Sequence, residues 1–241
     1  MTARSGRPGG AGGAGELLPR ERVEIAPGAV HVPDWLDLDQ QRRLFEAYVE
    51  WADGPVAPHS PLIRGGRPMS VQLLCLGWHW LPYRYSRTAE NAGGAQVLAL
   101  PDWLADLGRA AVATAYEDPA YEAVGSEHAS PGSEYRPDTA LVNRYDATAK
   151  MGMHQDRDER SDAPVVSLSL GDTCVFRFGN TEHRNRPYVD VELRSGDLFV
   201  FGGPSRFAYH GVTKTLPGTG DPDTGWTSGR LNVTMRETGL S

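Results

Sequence analysis

The chain has 241 residues with 24 Lys and Arg against 31 Asp and Glu, which gives a formal net charge of −7. Hydrophobic residues make up 39% of the chain and aromatic residues 9%, enough for a core, so wholesale disorder is excluded. No apolar run approaches the roughly 18 residues that a membrane span needs, and we predict no membrane segment. The two cysteines, Cys75 and Cys174, cannot form a disulfide framework, which is typical of a reducing cytoplasm.

The first fifteen residues, MTARSGRPGGAGGAG, differ in composition from the rest. We predict a flexible Gly-rich tail over residues 1–15 and a single domain over residues 16–241. Without the tail the net charge is −9, because Arg4 and Arg7 are its only charged residues. Such a balance argues against a protein that coats nucleic acid by bulk charge, although a local basic patch remains compatible with it.

Two helices are predicted in the first half of the chain. Asp37 and Gln40 have capping-box spacing at the start of an amphipathic helix over about 38–52. A second helix is expected from Pro101 to about Tyr116, since Pro is tolerated at the first helical position. Residues 61–86 between them are rich in Gly, Pro and aromatic residues and predict short strands and loops.

From about residue 139 the pattern changes to short strands. Apolar and polar residues alternate around 141–145, 166–170 and 189–193, and residues 198–201 form a short apolar run. The stretch 215–229 predicts a loop from its Gly, Pro and Asp content, and the last strand is Arg230 to Arg236. Many short strands joined by turns favour a sandwich or barrel, here preceded by helices.

The segment Met153-His154-Gln155-Asp156 predicts a metal site. On a strand His154 and Asp156 project from the same face, so an imidazole and a carboxylate could bind one ion. His210, after a buried strand and a Gly-Gly-Pro turn, is the candidate third ligand. Two His and one carboxylate are typical of non-haem Fe(II) oxygenases, while Zn²⁺ also accepts these ligands and stays an alternative.

The final strand alternates strictly between polar and apolar residues. One interpretation is a solvated face above a core face. The other is a ligand with two carboxylates, because Arg can bind a carboxylate through two parallel hydrogen bonds. Asn143 and Tyr145 share a face upstream of His154 and could complete the hydrogen bonds of such a ligand. The polar residues of the strand are Arg230, Asn232, Thr234 and Arg236.

These motifs carry a family resemblance. The runs LVNRYDATAKMGMHQDRDE, PVVSLSLG, GDLFVFGGPSRFAYHG and RLNVTMRETG resemble the AlkB family of alkylation-repair dioxygenases. The resemblance is continuous over about 139–214, resumes at 230–239 and is visible in PMSVQLLCLGW at 68–78. The order N-x-Y, H-x-D, H and R-x-N-x-x-x-R is what makes it specific.

The resemblance implies a mainly β, α+β fold. A double-stranded β-helix (jelly-roll) core is expected over about 139–239, with N-terminal helices and a nucleotide-recognition lid over about 61–90. His154, Asp156 and His210 would be the Fe(II) ligands, with 2-oxoglutarate and O₂ as co-substrates. Arg230 would bind the distal carboxylate of 2-oxoglutarate and Arg236 would lie near its iron-bound end. The full set of implied 2-oxoglutarate contacts is Asn143, Tyr145, Arg230, Asn232 and Arg236.

The resemblance also implies residues that hold a flipped base. Trp78 matches the stacking Trp, Tyr83 and Tyr85 match the Tyr pair of the lid, and Asp158 matches a carboxylate that contacts the base. Arg184 matches a substrate-side Arg, with His183 as a competing assignment. Without the family, ordinary core packing would account for Trp78, Tyr83 and Tyr85.

The implied function is direct-reversal DNA repair by oxidative demethylation of bases such as 1-methyladenine or 3-methylcytosine. It is coupled to 2-oxoglutarate decarboxylation and releases formaldehyde, succinate and CO₂. We expect a cytoplasmic monomer whose partner is alkylated single-stranded DNA, with double-stranded DNA and RNA left open. The alternatives are a 2-oxoglutarate oxygenase acting on RNA, protein or a small molecule, and a catalytically silent nucleic-acid-binding module.

The acidic charge is uneven along the chain. Residues 115–139 hold six acidic residues and one Arg, whereas basic residues concentrate in or near the lid and site segments. We therefore expect a basic mouth on an acidic body, with a small and salt-sensitive phosphate footprint. The basic residues concerned are Arg64, Arg67, Arg84, Arg87, Lys150, Arg157, Arg160, Arg184, Arg186 and Arg206.

Overall fold

The computed structural model describes residues 19–63, 65–116 and 135–240. Helix α1 spans Leu38–Ala52 and helix α2 spans Asp102–Tyr116, so both predicted helices are confirmed. The Asp37 carboxylate accepts the Gln40 amide hydrogen bond, and the Gln40 side chain accepts one from the Asp37 backbone, which is the predicted capping box. The tail over 1–15, Arg64 and the acidic residues of 117–134 lie outside the described residues.

The rest of the described chain is mainly β. The predicted short strands within 61–86 are confirmed, as are the strands from residue 139 onward. The strands are β1 (Val23–Ala26), β2 (Ala29–Val32), β3 (Leu62–Ile63), β4 (Arg67–Pro68), β5 (Gln72–Leu76), β6 (His79–Leu81), β7 (Arg84–Ser86), β8 (Thr88–Ala89), β9 (Ala95–Gln96), β10 (Thr139–Tyr145), β11 (Met151–His154), β12 (Val165–Gly171), β13 (Thr173–Phe178), β14 (Val189–Leu193), β15 (Leu198–Phe201), β16 (His210–Leu216) and β17 (Arg230–Arg236).

Two antiparallel sheets form the body of the fold. The large sheet has the order β1-β2-β15-β12-β17-β10-β5, and the small sheet has the order β11-β16-β13-β14. The large sheet joins strands that are far apart in sequence, so β17 at the end of the chain lies between β12 and β10. This arrangement of antiparallel sheets with two helices agrees with the expected jelly-roll core.

Each face of the large sheet has its own apolar cluster. On one face, β12 and β17 pack against the helices, with Leu44, Leu104 and Val233 among the buried residues. On the other face, Phe199 and Phe201 of β15 meet Phe176 of the small sheet. Because successive side chains of a strand alternate between faces, the polar residues of β17 point away from the helices. The space between the two sheets is therefore where the polar side chains converge.

The segment 215–229 is mostly a loop, as predicted, but β16 continues through Leu216 and a short 3₁₀ turn covers Pro222–Thr224. Its Trp226 ring stacks on Phe45 of α1 with the ring centroids 4.8 Å apart. The Asp172 carboxylate accepts backbone hydrogen bonds from Gly218, Thr219, Gly220 and Gly229. These contacts fix both ends of the loop against the body of the protein.

The helices among the described residues do not have the features of membrane spans. Both α1 and α2 have 15 residues, and no helix there combines the length and apolar character that crossing a bilayer requires.

Candidate metal centre and active site

Three side chains meet at the end of the small sheet. His154, the last residue of β11, pairs across the strands with His210, the first residue of β16, and their ring centroids are 4.5 Å apart. The Asp156 carboxylate lies 3.6 Å from Nε2 of each histidine, through a different oxygen in each case. Asp156 follows the strand instead of belonging to it, because β11 ends at His154. The expected His-x-Asp strand geometry is therefore wrong in detail, although the three groups lie together.

Both histidines present the same ring nitrogen to the centre. Nδ1 of His154 lies 3.0 Å from the Gly152 carbonyl oxygen, and Nδ1 of His210 lies 2.9 Å from the Ala208 carbonyl oxygen. An imidazole that donates from Nδ1 keeps Nε2 unprotonated and available to a metal. The potential ligand atoms of the three residues all lie within 4.8 Å of one another. This donor set fits one divalent cation.

The charge states also suit a metal ligand set. Burial lowers the pKa of His210 to about 4, so its imidazole is neutral at neutral pH. Burial alone would raise the pKa of Asp156, but Arg236, His210 and His154 outweigh it and hold that pKa well below its usual range. Neutral imidazole and ionised carboxylate are the forms that bind metal ions.

Three neighbouring strands of the large sheet line the space beside the triad. Asn143 and Tyr145 of β10 stand opposite Asn232 and Arg230 of β17, and Ser169 of β12 stands opposite Asn232 on the other side. All seven residues of β17 are buried. The interpretation of its polar face as solvated is therefore wrong, because the small sheet covers that face.

Arg230 has donors that nothing in the described chain satisfies. Its Nη2 donates to Ser169 Oγ at 3.0 Å, whereas its buried Nε and Nη1 have no hydrogen-bond partner among the described residues. Burial raises the pKa of Tyr145 to about 12, so its phenol stays protonated and can donate. A buried guanidinium with free donors calls for an anionic ligand, since leaving them unpaired is unfavourable. This fits a dicarboxylate such as 2-oxoglutarate.

Arg236 contacts one of the candidate metal ligands directly. Its Nη2 donates to Asp156 Oδ2 at 2.7 Å, and its Nη1 donates to Glu159 Oε1 and to the Tyr85 hydroxyl, both at 3.1 Å. The Tyr85 hydroxyl in turn donates to Glu159 Oε1 at 2.5 Å. The hydroxyl of Tyr85 is thus engaged beside Asp156, and its predicted role in a nucleotide lid stays a prediction.

The predicted stacking residue Trp78 has its contacts elsewhere. Its indole donates to Asp138, and the Arg87 guanidinium lies 3.6 Å from the ring centroid. Trp80, two residues later in β6, is the tryptophan whose indole Nε1 donates to Asp158 Oδ2, at 2.8 Å. Sequence reasoning missed Trp80, although its place in the same Trp-rich run was the available signal.

The remaining predicted substrate residues lie at the surface. Tyr83 is 63% exposed and has a positive φ of 74° at the tip of the β6–β7 hairpin. Arg184 lies over the Tyr209 ring at 5.7 Å, and the neighbouring His183 amide donates to Asn180. Arg206 is buried, so its place in the expected basic mouth is wrong. The exposed members of that set are Arg67, Arg84, Arg87, Lys150, Arg157, Arg160, Arg184 and Arg186.

The geometry corresponds to a known class of enzyme. A family model described as the 2OG-Fe(II) oxygenase superfamily matches residues 28–236. The chain belongs to this superfamily of Fe(II)- and 2-oxoglutarate-dependent dioxygenases, and His154, Asp156 and His210 are its candidate iron site.

Individual relatives narrow the class to the AlkB family. The chain is 39% identical over 222 residues to the "Alpha-ketoglutarate-dependent dioxygenase AlkB homolog" of Caulobacter vibrioides, covering 89% of each chain. It is 30% identical over 227 residues to the "DNA N(6)-methyladenine demethylase ALKBH1C" of Arabidopsis thaliana, covering 88% of this chain and 49% of that protein. The solved structure of OsALKBH1 superposes with a TM-score of 0.79 at 31% identity, covering 90% of this chain and 99% of that one.

Proposed function

We propose that this dioxygenase removes N-alkyl groups from DNA bases by oxidation, with lesions of the 1-methyladenine and 3-methylcytosine type as substrates. The main support is the cavity between the sheets, where the cluster of half-buried His154 with buried Asp156 and His210 faces a guanidinium with unpaired donors in an AlkB-family chain. When bound, Fe(II) with 2-oxoglutarate and O₂ supplies the oxidation of the N-alkyl carbon. The products are formaldehyde, succinate, CO₂ and the restored base.

In this proposal the protein's own residues hold and orient the reactants. His154, Asp156 and His210 hold Fe(II) through Nε2 and carboxylate oxygens. Arg230 binds the distal carboxylate of 2-oxoglutarate, while Arg236 lies near the iron-bound end. Asn143, Tyr145 and Asn232 complete the lining of the cavity, and the aromatic rings of the core exclude water from it.

On the substrate side, Asp158 provides the carboxylate for a cationic base. The Trp80 indole donates to one oxygen of Asp158, which orients the carboxylate and leaves its other oxygen to the substrate. Trp78, Tyr83, Tyr85 and Arg184 remain proposed substrate residues from the family pattern. A carboxylate favours methylated bases that carry a positive charge over their neutral parents.

The proposal is tested by incubating the purified protein with Fe(II), 2-oxoglutarate and a single-stranded DNA oligonucleotide that contains 1-methyladenine. We expect formaldehyde and succinate in equal amounts and loss of the methyl group by mass spectrometry. The unmethylated oligonucleotide is the control. Succinate production that no methylated nucleic acid stimulates would contradict a nucleic-acid substrate and favour a protein or small molecule.

A second substrate is favoured by one observation, the 30% identity to a protein named as a DNA N(6)-methyladenine demethylase. N(6)-methyladenine is neutral, so Asp158 offers it no charge attraction. The same assay with N(6)-methyladenine DNA and with methylated RNA, in single- and double-stranded form, ranks these alternatives by kcat/KM.

The proposal extends to the organisation of the chain. We place one catalytic domain over 16–241 with a lid over about 61–90, acting as a monomer in the cytoplasm on single-stranded DNA. The exposed basic residues on lid and site segments support a small phosphate footprint, which size-exclusion chromatography and salt titration of oligonucleotide binding would test.

A further inference from the structure

Buried side chains of alternating charge form a connected series that begins at Asp156. The family resemblance assigns no role to its last two members, Glu159 and Arg206. Arg236 bridges Asp156 to Glu159, and Glu159 Oε2 accepts a hydrogen bond from Arg206 Nη2 at 3.2 Å. The Glu159 side chain is 1% exposed and that of Arg206 is 2% exposed. Charged groups this deeply buried are rare unless they are paired, and here each meets an opposite charge.

Glu159 is the group that makes two buried guanidinium ions compatible. One of its oxygens accepts from Arg236 and the other from Arg206. The Tyr85 hydroxyl also donates to Glu159, and burial chiefly raises the pKa of Tyr85 well above its usual value, so it remains a donor. Without the Glu159 charge, Arg236 would face Arg206 and a bound dication with only Asp156 to offset it.

Arg206 connects the segment that follows β11 with the segment that leads into β16. Its Nη1 donates to the backbone carbonyl of Asp156 at 2.9 Å, and its Nε donates to that of Ala163 at 2.7 Å. Arg206 itself lies four residues before His210, in the segment that leads into β16. The Arg206 side chain therefore fixes the backbone at Asp156, while the Arg206 backbone leads to His210.

We propose that Glu159 and Arg206 are positioning residues of the metal centre, which hold Arg236 against Asp156 Oδ2 and so fix the direction of the Asp156 carboxylate. The proposal rests on the assignment of Asp156 as an iron ligand. With Oδ2 engaged by Arg236, Oδ1 is the oxygen left for the ion. Groups that orient metal ligands in this way commonly account for 10–100-fold in metal affinity.

The first test is Glu159→Gln, which keeps the size of the side chain and removes its charge. Mn(II) affinity is measured by calorimetry without nucleic acid, so the result does not depend on what the enzyme demethylates. We expect the Kd for Mn(II) to rise about tenfold. Glu192→Gln, at a side chain 59% exposed on β14, is the matched control and keeps the wild-type Kd.

A double variant separates positioning from stability. Glu159→Gln alone should lower Tm, because it leaves buried Arg206 without its carboxylate. Glu159→Gln with Arg206→Gln removes both charges together while Arg236 keeps Asp156, so Tm should return toward wild type. We expect its Mn(II) Kd to stay about tenfold weaker despite this recovery. A folded double variant with wild-type affinity for Mn(II) would overturn the proposal and leave the pair a purely structural role. Failure of the wild type to bind Mn(II) would instead overturn the metal-site assignment itself.

Discussion

Two regions beside the candidate metal centre of this enzyme are built differently. The proposed wall for 2-oxoglutarate consists of β10, β12 and β17, where backbone pairing sets each side chain opposite a defined neighbour. The proposed substrate side consists of the β6–β7 hairpin and the segment after β11, where the Trp80 indole donates a hydrogen bond directly to Asp158. Side chains on the wall are thus positioned by the register of the strands. Side chains on the substrate side are positioned by individual side-chain contacts.

This difference predicts where substitutions act. A change on the wall leaves the frame intact and removes one ligand contact, so it should alter the apparent affinity for one reactant. A substitution on the substrate side removes one contact with the substrate and also the hydrogen bond that orients a neighbouring side chain. The following experiments are ordered from the largest expected effect to the smallest.

The largest effect is expected at the point where the two regions meet. His154→Ala removes a metal ligand whose Nε2 is directed to the centre by the Gly152 carbonyl. We expect formaldehyde and succinate production to be abolished and metal affinity to fall. Glu192→Ala, at an exposed side chain on β14, is the control with near wild-type turnover. Full turnover by a His154→Ala protein that still binds iron would refute the ligand assignment.

The wall is tested with Arg230→Met. The variant loses the guanidinium that carries free donors, and hydrogen bonds to charged groups contribute about 1.5–3 kcal/mol, so KM for 2-oxoglutarate should rise about 10–100-fold. The KM for the methylated oligonucleotide should stay unchanged. Arg109→Met, on the exposed side of α2, serves as control. Equal changes in both KM values would show that the wall does more than bind the co-substrate.

The substrate side is tested with Trp80→Phe beside Trp78→Phe. Phe keeps an aromatic ring and loses the N–H that donates to Asp158, so KM for 1-methyladenine DNA should rise about tenfold, with KM for 2-oxoglutarate unaffected. Trp78→Phe should instead lower Tm, because its indole binds Asp138 within the body of the protein. A raised KM for the DNA in Trp78→Phe, with an unchanged KM in Trp80→Phe, would contradict the role given to Trp80.

The smallest functional effect is expected outside both regions, at Asp197. Burial would raise its pKa, but hydrogen bonds from His31 and Arg20 outweigh this, so its pKa is lowered in the folded protein. A carboxylate with a lowered folded-state pKa stabilises the protein above its unfolded pKa of about 3.9, and this stability is lost as pH falls further. Asp197→Asn should cost about 3 kcal/mol of unfolding free energy at pH 7.

The pH dependence provides the check on that value. Chemical denaturation of both proteins at several pH values should show their difference shrinking below about pH 4. Metal affinity should be equal in the two proteins at pH 7, because Asp197 contacts the N-terminal segment and not the metal centre. A constant difference across the acid range would contradict the lowered pKa.

The sequence predicted the wall better than it predicted the substrate side. The alternation over Arg230–Arg236, together with the family motif, identified the wall, because a strand places every second side chain on one face. This alternation does not predict that both faces of β17 are buried, because the sheet that covers the polar face consists of strands far away in sequence. Asp156 was expected on a strand and lies beyond it, because local spacing does not show where pairing stops.

Contacts between loops had no local pattern. Trp80 reaches Asp158 across 78 positions, and Arg206 reaches Asp156 across 50, so neither pair leaves a periodic signal. From the sequence, Arg206 is expected in the basic mouth because it lies near the site segments along the chain, whereas the structure buries it. Its place four residues before His210 was the available hint that its charge is used inside the protein.

Asp172 has a consequence for how the protein withstands degradation. The segment 217–229 has the composition of a protease-sensitive loop, yet one carboxylate accepts four of its backbone N–H groups. A protease needs an extended segment of chain, and this one becomes extended only when those bonds break together with the packing of Trp226 on Phe45. Resistance of this loop to cleavage thus depends on the Asp172 carboxylate together with the Trp226 ring.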